Sequence, residues 1–205
     1  QAAMASIDRI FVILDEADEQ PEATHLETIS SPKGAIEFKN VQFGYTPEKI
    51  LMKNVDFSVQ PKKTVAIVGP TGAGKTTLVN LLMRFYEINQ GAITFDGIDI
   101  TKLSRQNLRN LFGMVLQNTW LFEGTVADNI AYGKKDASRE EIIEAAKIAQ
   151  CDHFIRTLPQ GYDTIISSEN GALSQGQQQL LTIARIILAN PPVVILDEAT
   201  SSVDT

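Results

Sequence analysis

The chain has 205 residues, 43% of them hydrophobic and 21% charged, enough for one large domain with a buried core or for one domain with an appendage. Its formal net charge of −7 argues against a nucleic-acid surface, and its single cysteine, Cys151, leaves no internal disulfide and fits a reducing compartment. The sequence shows no signal peptide and no run close to the roughly 20 apolar residues of a membrane span, so any membrane contact must come through something outside the chain.

In chain order, Ala3, Ile7, Ile10, Phe11 and Leu14 recur at helical spacing and predict an amphipathic helix over residues 1–14. The acidic residues and proline of 15–21 then predict a linker. Gln1 in place of an initiator Met, and Thr205 directly after a strand and loop, read as the ends of a fragment whose first helix enters from an upstream domain. Residues 35–43 alternate apolar and polar side chains, the pattern of a half-buried strand. After a turn at Thr46-Pro47, residues 50–59 read as the returning strand. Tyr45, at the end of the first strand, has two readings: a packing residue, the commoner role, or a platform on which a planar base stacks.

The stretch around which the chain is organised comes next. Gly69-Pro70-Thr71-Gly72-Ala73-Gly74-Lys75-Thr76-Thr77 lies between the β-branched run Val65-Ala66-Ile67-Val68 and the helix-like residues 78–85, where a strand would turn into a helix. Glycines there take positive φ and bring backbone N–H groups up to phosphate oxygens, while the helix N-terminus adds partial positive charge. Lys75 then reaches the β- and γ-phosphates, and the Thr76 hydroxyl ligates Mg²⁺. A glycine-rich turn with a surface lysine is the alternative. The four specified positions of GxxxxGK[ST] arise by chance in roughly one chain in a hundred of this length, and the flanking strand and helix make coincidence rarer.

Residues 91–100 predict short strands and turns, and residues 112–116 another strand running into Gln117. A glutamine there coordinates Mg²⁺, orients a water, or is a plain loop amide. Residues 126–156 are mainly helical in pattern, with Ser138 as a cap, and Leu173-Ser174-Gln175-Gly176-Gln177 opens a helix running through Ala189. Ser174 at that N-cap, with the Gly176 N–H close by, is either a second anion site or merely a cap. Val193-Val194-Ile195-Leu196-Asp197-Glu198 is an apolar strand ending in two carboxylates. Downstream of a phosphate loop, Asp197 is placed to hold Mg²⁺ through water, and Glu198 to accept a proton from an attacking water or polarise it.

These motifs agree in order and spacing, and over nearly all of residues 34–205 the chain resembles the nucleotide-binding domain of an ATP-binding cassette (ABC) transporter. Walker A is residues 69–76, the Q-loop Gln117, the signature residues 173–177, Walker B residues 193–197, the catalytic glutamate Glu198 and the D-loop Ser201-Ser202-Val203-Asp204; Tyr45 matches the adenine-stacking aromatic. Residues 1–33 resemble the connector from an exporter's last membrane helix, residues 117–133 with Trp120-Leu121-Phe122 resemble the region that receives the membrane domain, and Glu169-Asn170-Gly171 resembles the X-loop. The resemblance implies an α/β fold with a mainly parallel P-loop core, an antiparallel β part at 35–60 and 92–99, and a helical part at about 126–190 carrying the signature. It further implies ATP and Mg²⁺ as ligands, with the loop residues through Thr77 on one side of the nucleotide and a partner's Ser174, Gly176 and Gln177 on the other. Two such domains pair head to tail, fused to a transmembrane domain at the cytoplasmic face of the membrane, with no nucleic-acid partner.

Three departures from the family pattern stand out. Gln175 replaces the usual glycine, Gln178 replaces a basic residue, and the approach to the signature is one residue short, all of which fit one half of a heterodimeric exporter. The chain also stops before the family's switch histidine, for which His25 and His153 lie too early, so this stretch is expected to bind nucleotide better than it hydrolyses it. The competing readings are a non-transport ABC ATPase of DNA repair or translation, and a regulatory module with little catalysis, which Glu198 disfavours.

Overall fold

A computed structural model describes residues 2–16, 19–46, 48–70, 72–115, 119–167 and 173–196. It begins with helix α1 (Ala2–Leu14), as the spacing predicts, and Ile10, Phe11, Val12, Ile13 and Leu14 of this helix are all exposed.

The antiparallel part is a four-stranded sheet in the order β2-β1-β3-β4, built from β1 (Ile36–Phe43), β2 (Met52–Val59), β3 (Gln90–Phe95) and β4 (Ile98–Asp99). The alternation read in β1 is real. Ile36, Phe38, Val41 and Phe43 are buried, Lys39 points out, and a register shift between Phe38 and Val41 keeps both halves apolar-side inward across Asn40, at φ 47°. Phe38 stacks on Phe57 of β2 at 4.5 Å, and burying such a ring contributes roughly 2–3 kcal/mol. Residues 19–33 lead onto this sheet, and Asp96 in the β3–β4 turn ties them down by accepting from the Lys33 and Ala35 backbone N–H groups at 2.7 and 2.8 Å.

Helix α2 (Lys75–Leu82) starts three residues earlier than the apolar pattern suggests and buries Val79, Leu81 and Leu82 against the sheet. It is followed by a short helix α3 (Arg105–Arg109) and by β5 (Phe112–Val115), which pairs in parallel with the last strand, β8 (Val193–Leu196). The run 65–68, expected to be a strand, is not one: residues 64–70 carry no strand pairing, and Ile67 and Val68 are 46% and 88% exposed. Its side chains have the propensity, but a strand needs a neighbour to complete its ladder. Instead an apolar hollow of about 460 Å³ opens there, lined by Val65, Ala66 and Ile67 as well as Val193, Val194, Ile195 and Leu196. The parallel core is therefore represented, among the described residues, by the β5–β8 pair alone.

The helical part comprises α4 (Val126–Ala131), α5 (Arg139–Ile148), α6 (Asp152–Thr157) and α7 (Gln175–Ala189), with a two-residue ladder between β6 (Gly124–Thr125) and β7 (Ile165–Ile166). Its own core gathers Val126, Ile130, Ile142, Ala146, Ile155 and Leu181. Ser138 caps α5 in a reciprocal pair with Glu141, as expected, and Thr125 does the same for α4 with Asp128. α7 stops at Asn190, whose left-handed φ of 47° and the two prolines after it end the helix. Gly113 of β5 lets this helix approach, since a Cβ there would lie 2.7 Å from both Ile186 and Pro191. Burial pushes the Cys151 thiol up to about 12, so it acts as a small core hydrophobe.

Asp152 links α6 to its surroundings, accepting from Arg156 Nε at 2.8 Å and from the Tyr162 hydroxyl at 2.6 Å. The Arg156 hydrogen bond, then that of Tyr162, holds the Asp152 carboxyl below its ordinary 3.8, and the Thr125 hydroxyl does the same for Asp128. Folded values below the unfolded ones contribute stability that is complete above pH 3.8 and is lost as pH falls through the lower, folded values. Thermal melts followed by circular dichroism should therefore show a midpoint that drops between pH 5 and pH 2, more shallowly in Asp152→Asn; an equal drop in that variant contradicts the assignment.

Candidate nucleotide-binding site

The phosphate loop forms because two of its glycines take left-handed backbone, Gly72 at φ 82° and Gly74 at φ 93°; Gly74 sits at the N-cap of α2. With no capping side chain and no acidic residue in the first turn, the N-terminal N–H groups of α2 face the loop unshielded by carboxylate. Lys75 is the first residue of α2, and its Nζ donates to Gly69 O at 2.8 Å and Pro70 O at 3.2 Å, so its charge is held across the mouth of the loop. Ala73 N donates to Pro70 O and closes the turn. A Cβ on Gly74 would lie 3.0 Å from Met52, which shows how closely β2 backs the loop.

A hollow of about 500 Å³ opens over this loop, lined by Tyr45, Thr46, Lys49 and Leu51 on one side and Gly72, Gly74, Lys75, Thr76 and Thr77 on the other. It combines an aromatic ring, two lysines and a helix N-terminus, which suits a planar base carrying a polyphosphate. Tyr45 is 54% exposed, which leaves part of its ring open to the hollow, and its hydroxyl lies 2.8 Å from Thr77 Oγ1. Another hollow, of about 720 Å³ between residues 19–22 and α3, is a weaker candidate, since its Arg105 and Arg109 already face Glu19.

Thr71, Gln117, Asp197 and Glu198 lie outside the described residues, as do the X-loop and D-loop positions Glu169, Asn170, Gly171, Ser201, Ser202, Val203 and Asp204. What is described is the framework leading to them. Val115 pairs with Leu196, so β5 and β8 end side by side, two residues before Gln117 and one before Asp197. Leu196 and Lys75 line the same apolar hollow, so β8 ends on the side of the phosphate loop. Among the described residues no group of three His, Cys, Asp or Glu side chains could hold a metal. The Thr76 hydroxyl beside Lys75 is a hard-oxygen donor of the kind that Mg²⁺ takes together with phosphate and water oxygens.

The signature lies at the head of α7. Ser174 is its N-cap and forms a reciprocal box with Gln177, Ser174 N donating to Gln177 Oε1 at 2.9 Å and Gln177 N to Ser174 Oγ at 3.3 Å. Among the described residues, a Cβ at Gly176 would meet nothing within 4 Å, so this turn has room for a ligand against it. Gln175 is the first helical residue and has no positive φ, which removes the conformational objection to a side chain there. Gln178, where a basic residue was expected, donates to Leu173 O at 2.9 Å and accepts from Thr119 Oγ1 at 3.5 Å, tying the signature to the segment after Gln117.

That segment is anchored by two residues to which the sequence alone assigns no such role. Asn129, fully buried, accepts from Phe122 N at 3.1 Å and donates to Phe122 O and Thr125 O; Arg185 of α7 donates to Asn129 O at 2.9 Å and Trp120 O at 3.4 Å. Burial pulls the Arg185 guanidinium below its ordinary value, and its plane lies 5.2 Å from the Tyr132 ring. Trp120, Phe122 and Tyr132 thereby form an aromatic row, with Trp120 65% and Tyr132 69% exposed. A helix-period search misses these anchors, since a buried Asn and an Arg 56 residues away carry no joint signal.

A sequence profile of the family described as "ABC transporter" matches residues 52–201. The chain is 54% identical, over 205 residues, to a "Fatty acid ABC transporter ATP-binding/permease protein" of Mycobacterium bovis, covering all of this chain and 32% of that protein. It is 49% identical, over 207 residues, to an "ATP-dependent lipid A-core flippase" of Haemophilus influenzae, covering 35% of it. Among solved structures, one described as a bacterial Atm1-family ABC exporter with ATP bound superposes with a TM-score of 0.87 at 39% identity, over 98% of this chain and 35% of that one. The chain thus spans about a third of the length of these relatives. With the profile spanning most of the residues that build the phosphate loop, the sheet and the signature helix, the chain belongs to the ABC transporter family.

Proposed function

We propose that this chain is an ATP-binding and ATP-hydrolysing domain that powers transmembrane export through head-to-tail pairing with a second such domain. The observation that carries this is the position of Lys75: it shares one hollow with Tyr45 and the helix N-terminus, and another with the end of β8. The base stacks on Tyr45, the triphosphate takes the N–H groups of residues 72–77, and Lys75 turns its Nζ from Gly69 O and Pro70 O to the β- and γ-phosphates. Thr76 and Asp197, with Gln117 alongside, would hold Mg²⁺, which would supply neutralising charge to the phosphate oxygens. Glu198 takes the proton of the water that attacks the γ-phosphorus.

Ser174, Gly176 and Gln177 are donors to the γ-phosphate held by the opposite domain. The Ser174 hydroxyl accepts from Gln177 N and still has its own hydrogen to give, and the turn has room for a ligand among the described residues, both of which support that role. ATP then joins two surfaces, hydrolysis releases them, and the alternation moves the membrane part. The row Trp120-Phe122-Tyr132, exposed at Trp120 and Tyr132 and pinned to the signature helix through Arg185 and Asn129, suits the docking surface of a transmembrane domain at the cytoplasmic face. Residues 1–33 are the connector from that membrane part, and 34–205 belong to the ATPase domain. The relatives' names, permease and flippase, support export over DNA repair or translation. Titration of the 205-residue chain with a fluorescent ATP analogue and Mg²⁺ should give saturable binding displaced by unlabelled ATP; failure to bind under these conditions sinks the proposal.

A further inference from the structure

Tyr86 is a surface aromatic that neither the phosphate loop nor the signature accounts for, and it sits against the base platform. Tyr45 is held at three points. Its ring is edge-on to Phe43 at 5.0 Å and 79°, edge-on to Tyr86 at 5.1 Å and 88°, and its hydroxyl meets Thr77 at 2.8 Å. Phe43 is a core residue, 3% exposed, whereas Tyr86 is 46% exposed and also touches Phe43, ring centroids 5.9 Å apart. Tyr45 lines both the 500 Å³ hollow over the phosphate loop and a second hollow of about 340 Å³ behind it; Tyr86 lines only the second. Tyr86 therefore abuts Tyr45 on the side away from the phosphates.

The turn that presents Tyr86 is rigidly held. Arg84, at φ 52° and 5% exposed, donates from Nη1 to Ile100 O and Leu103 O, both at 3.1 Å, and from Nη2 to Glu87 Oε1 at 2.8 Å. Arg105 Nη2 reaches the same Glu87 oxygen at 3.0 Å. Arg109 donates to Met83 O and Arg84 O and lies 4.8 Å over the Phe85 ring. Three guanidiniums thus fix the backbone on either side of Tyr86. An exposed tyrosine left to itself loses side-chain freedom when a base stacks on it, and that loss weakens binding. A perpendicular neighbour on a rigid turn removes the freedom beforehand, and this neighbour lines the second hollow and not the one over the phosphate loop.

We infer that Tyr86 is a positioning residue for the base of a purine nucleoside triphosphate: it fixes the ring of Tyr45 and so sets how strongly the base, as distinct from the phosphates, is held. This rests on the nucleotide reading of the site. The test is calorimetric titration of the 205-residue chain with MgATP and, separately, with Mg²⁺ and inorganic triphosphate, comparing wild type, Tyr86→Leu and Tyr86→Phe. Tyr86→Leu should weaken ATP binding about three- to tenfold, the size of an aromatic pair contact, with triphosphate affinity unchanged. Tyr86→Phe, which keeps the ring, should stay within about twofold of wild type for both ligands. Far-UV circular dichroism and melting temperature should not move in either variant. Unchanged ATP affinity in Tyr86→Leu, or an equal loss for ATP and triphosphate, overturns the inference while leaving the site reading intact. A wild-type chain that binds triphosphate no more weakly than ATP overturns the reading of Tyr45 as a base platform, and this inference with it.

Discussion

Replacing Lys75 with alanine should lower ATP turnover by at least about 10²- to 10³-fold, the usual cost of removing a preorganised group aimed at developing charge. Lys75 is the first residue of α2, so its amino group and the helix N-terminus act on the same oxygens. Its present partners are two carbonyls of its own loop, Gly69 O and Pro70 O, and exchanging neutral acceptors for a polyphosphate is electrostatically favourable. Alanine is a good helix former and replaces exposed hydrogen bonds only, so the melting temperature of the nucleotide-free protein should change by no more than a few degrees. Arginine should not rescue the loss, because its wide planar fork cannot stand in for a compact ammonium at the mouth of a tight loop. Assays of ATP hydrolysis on matched wild-type and variant protein, alongside thermal melts, settle it. A variant that retained more than a tenth of wild-type turnover would remove Lys75 from the centre of the site.

The legibility of this chain follows from how local each feature is. The loop of residues 69–77 is legible because its pattern is packed into nine consecutive residues, and Gly72 and Gly74 take the positive φ expected of glycines there. The caps at Ser138 and Ser174 were readable for the same reason; Thr125-x-x-Asp128 has the same spacing but stands at the very start of the mainly helical run 126–156 and was not picked out. The run 65–68 misled because β-branched composition reports what a segment can pair with, not whether a neighbouring strand lies beside it. Tyr45 drew notice in the sequence, but its contact with Tyr86 did not, since 41 residues separate them and only the fold of the 83–87 turn brings the rings together. Gln117 and the Asp197-Glu198 pair were readable as motifs, while the link between them, the parallel register of Phe112 with Val193 through Val115 with Leu196, exists only in three dimensions.

Glu198→Gln separates binding from cleavage in a way that Lys75→Ala does not. The exchange keeps the side chain's length and shape but removes its proton-accepting charge, so general-base assistance worth about 10²- to 10⁴-fold disappears while affinity for ATP stays near wild type. Turnover should therefore collapse with KM little changed, the mark of a group that acts in the transition state. A second effect follows from the room left at the signature turn. If ATP bridges the Lys75 loop of one domain and the Ser174 helix end of another, a variant that binds without cleaving holds the bridge shut, and light scattering with size-exclusion chromatography in MgATP should show a stable dimer. ADP in place of ATP should leave the same variant monomeric, since the γ-phosphate that reaches the second surface is gone. The dimer should also dissociate as salt is raised, because the contacts that close it are between anionic phosphate and backbone or hydroxyl donors near the surface. Monomeric Glu198→Gln at saturating MgATP would break the connection between the two halves of the site, and Ser174 would revert to what its hydrogen bonds with Gln177 make it in isolation, a helix cap.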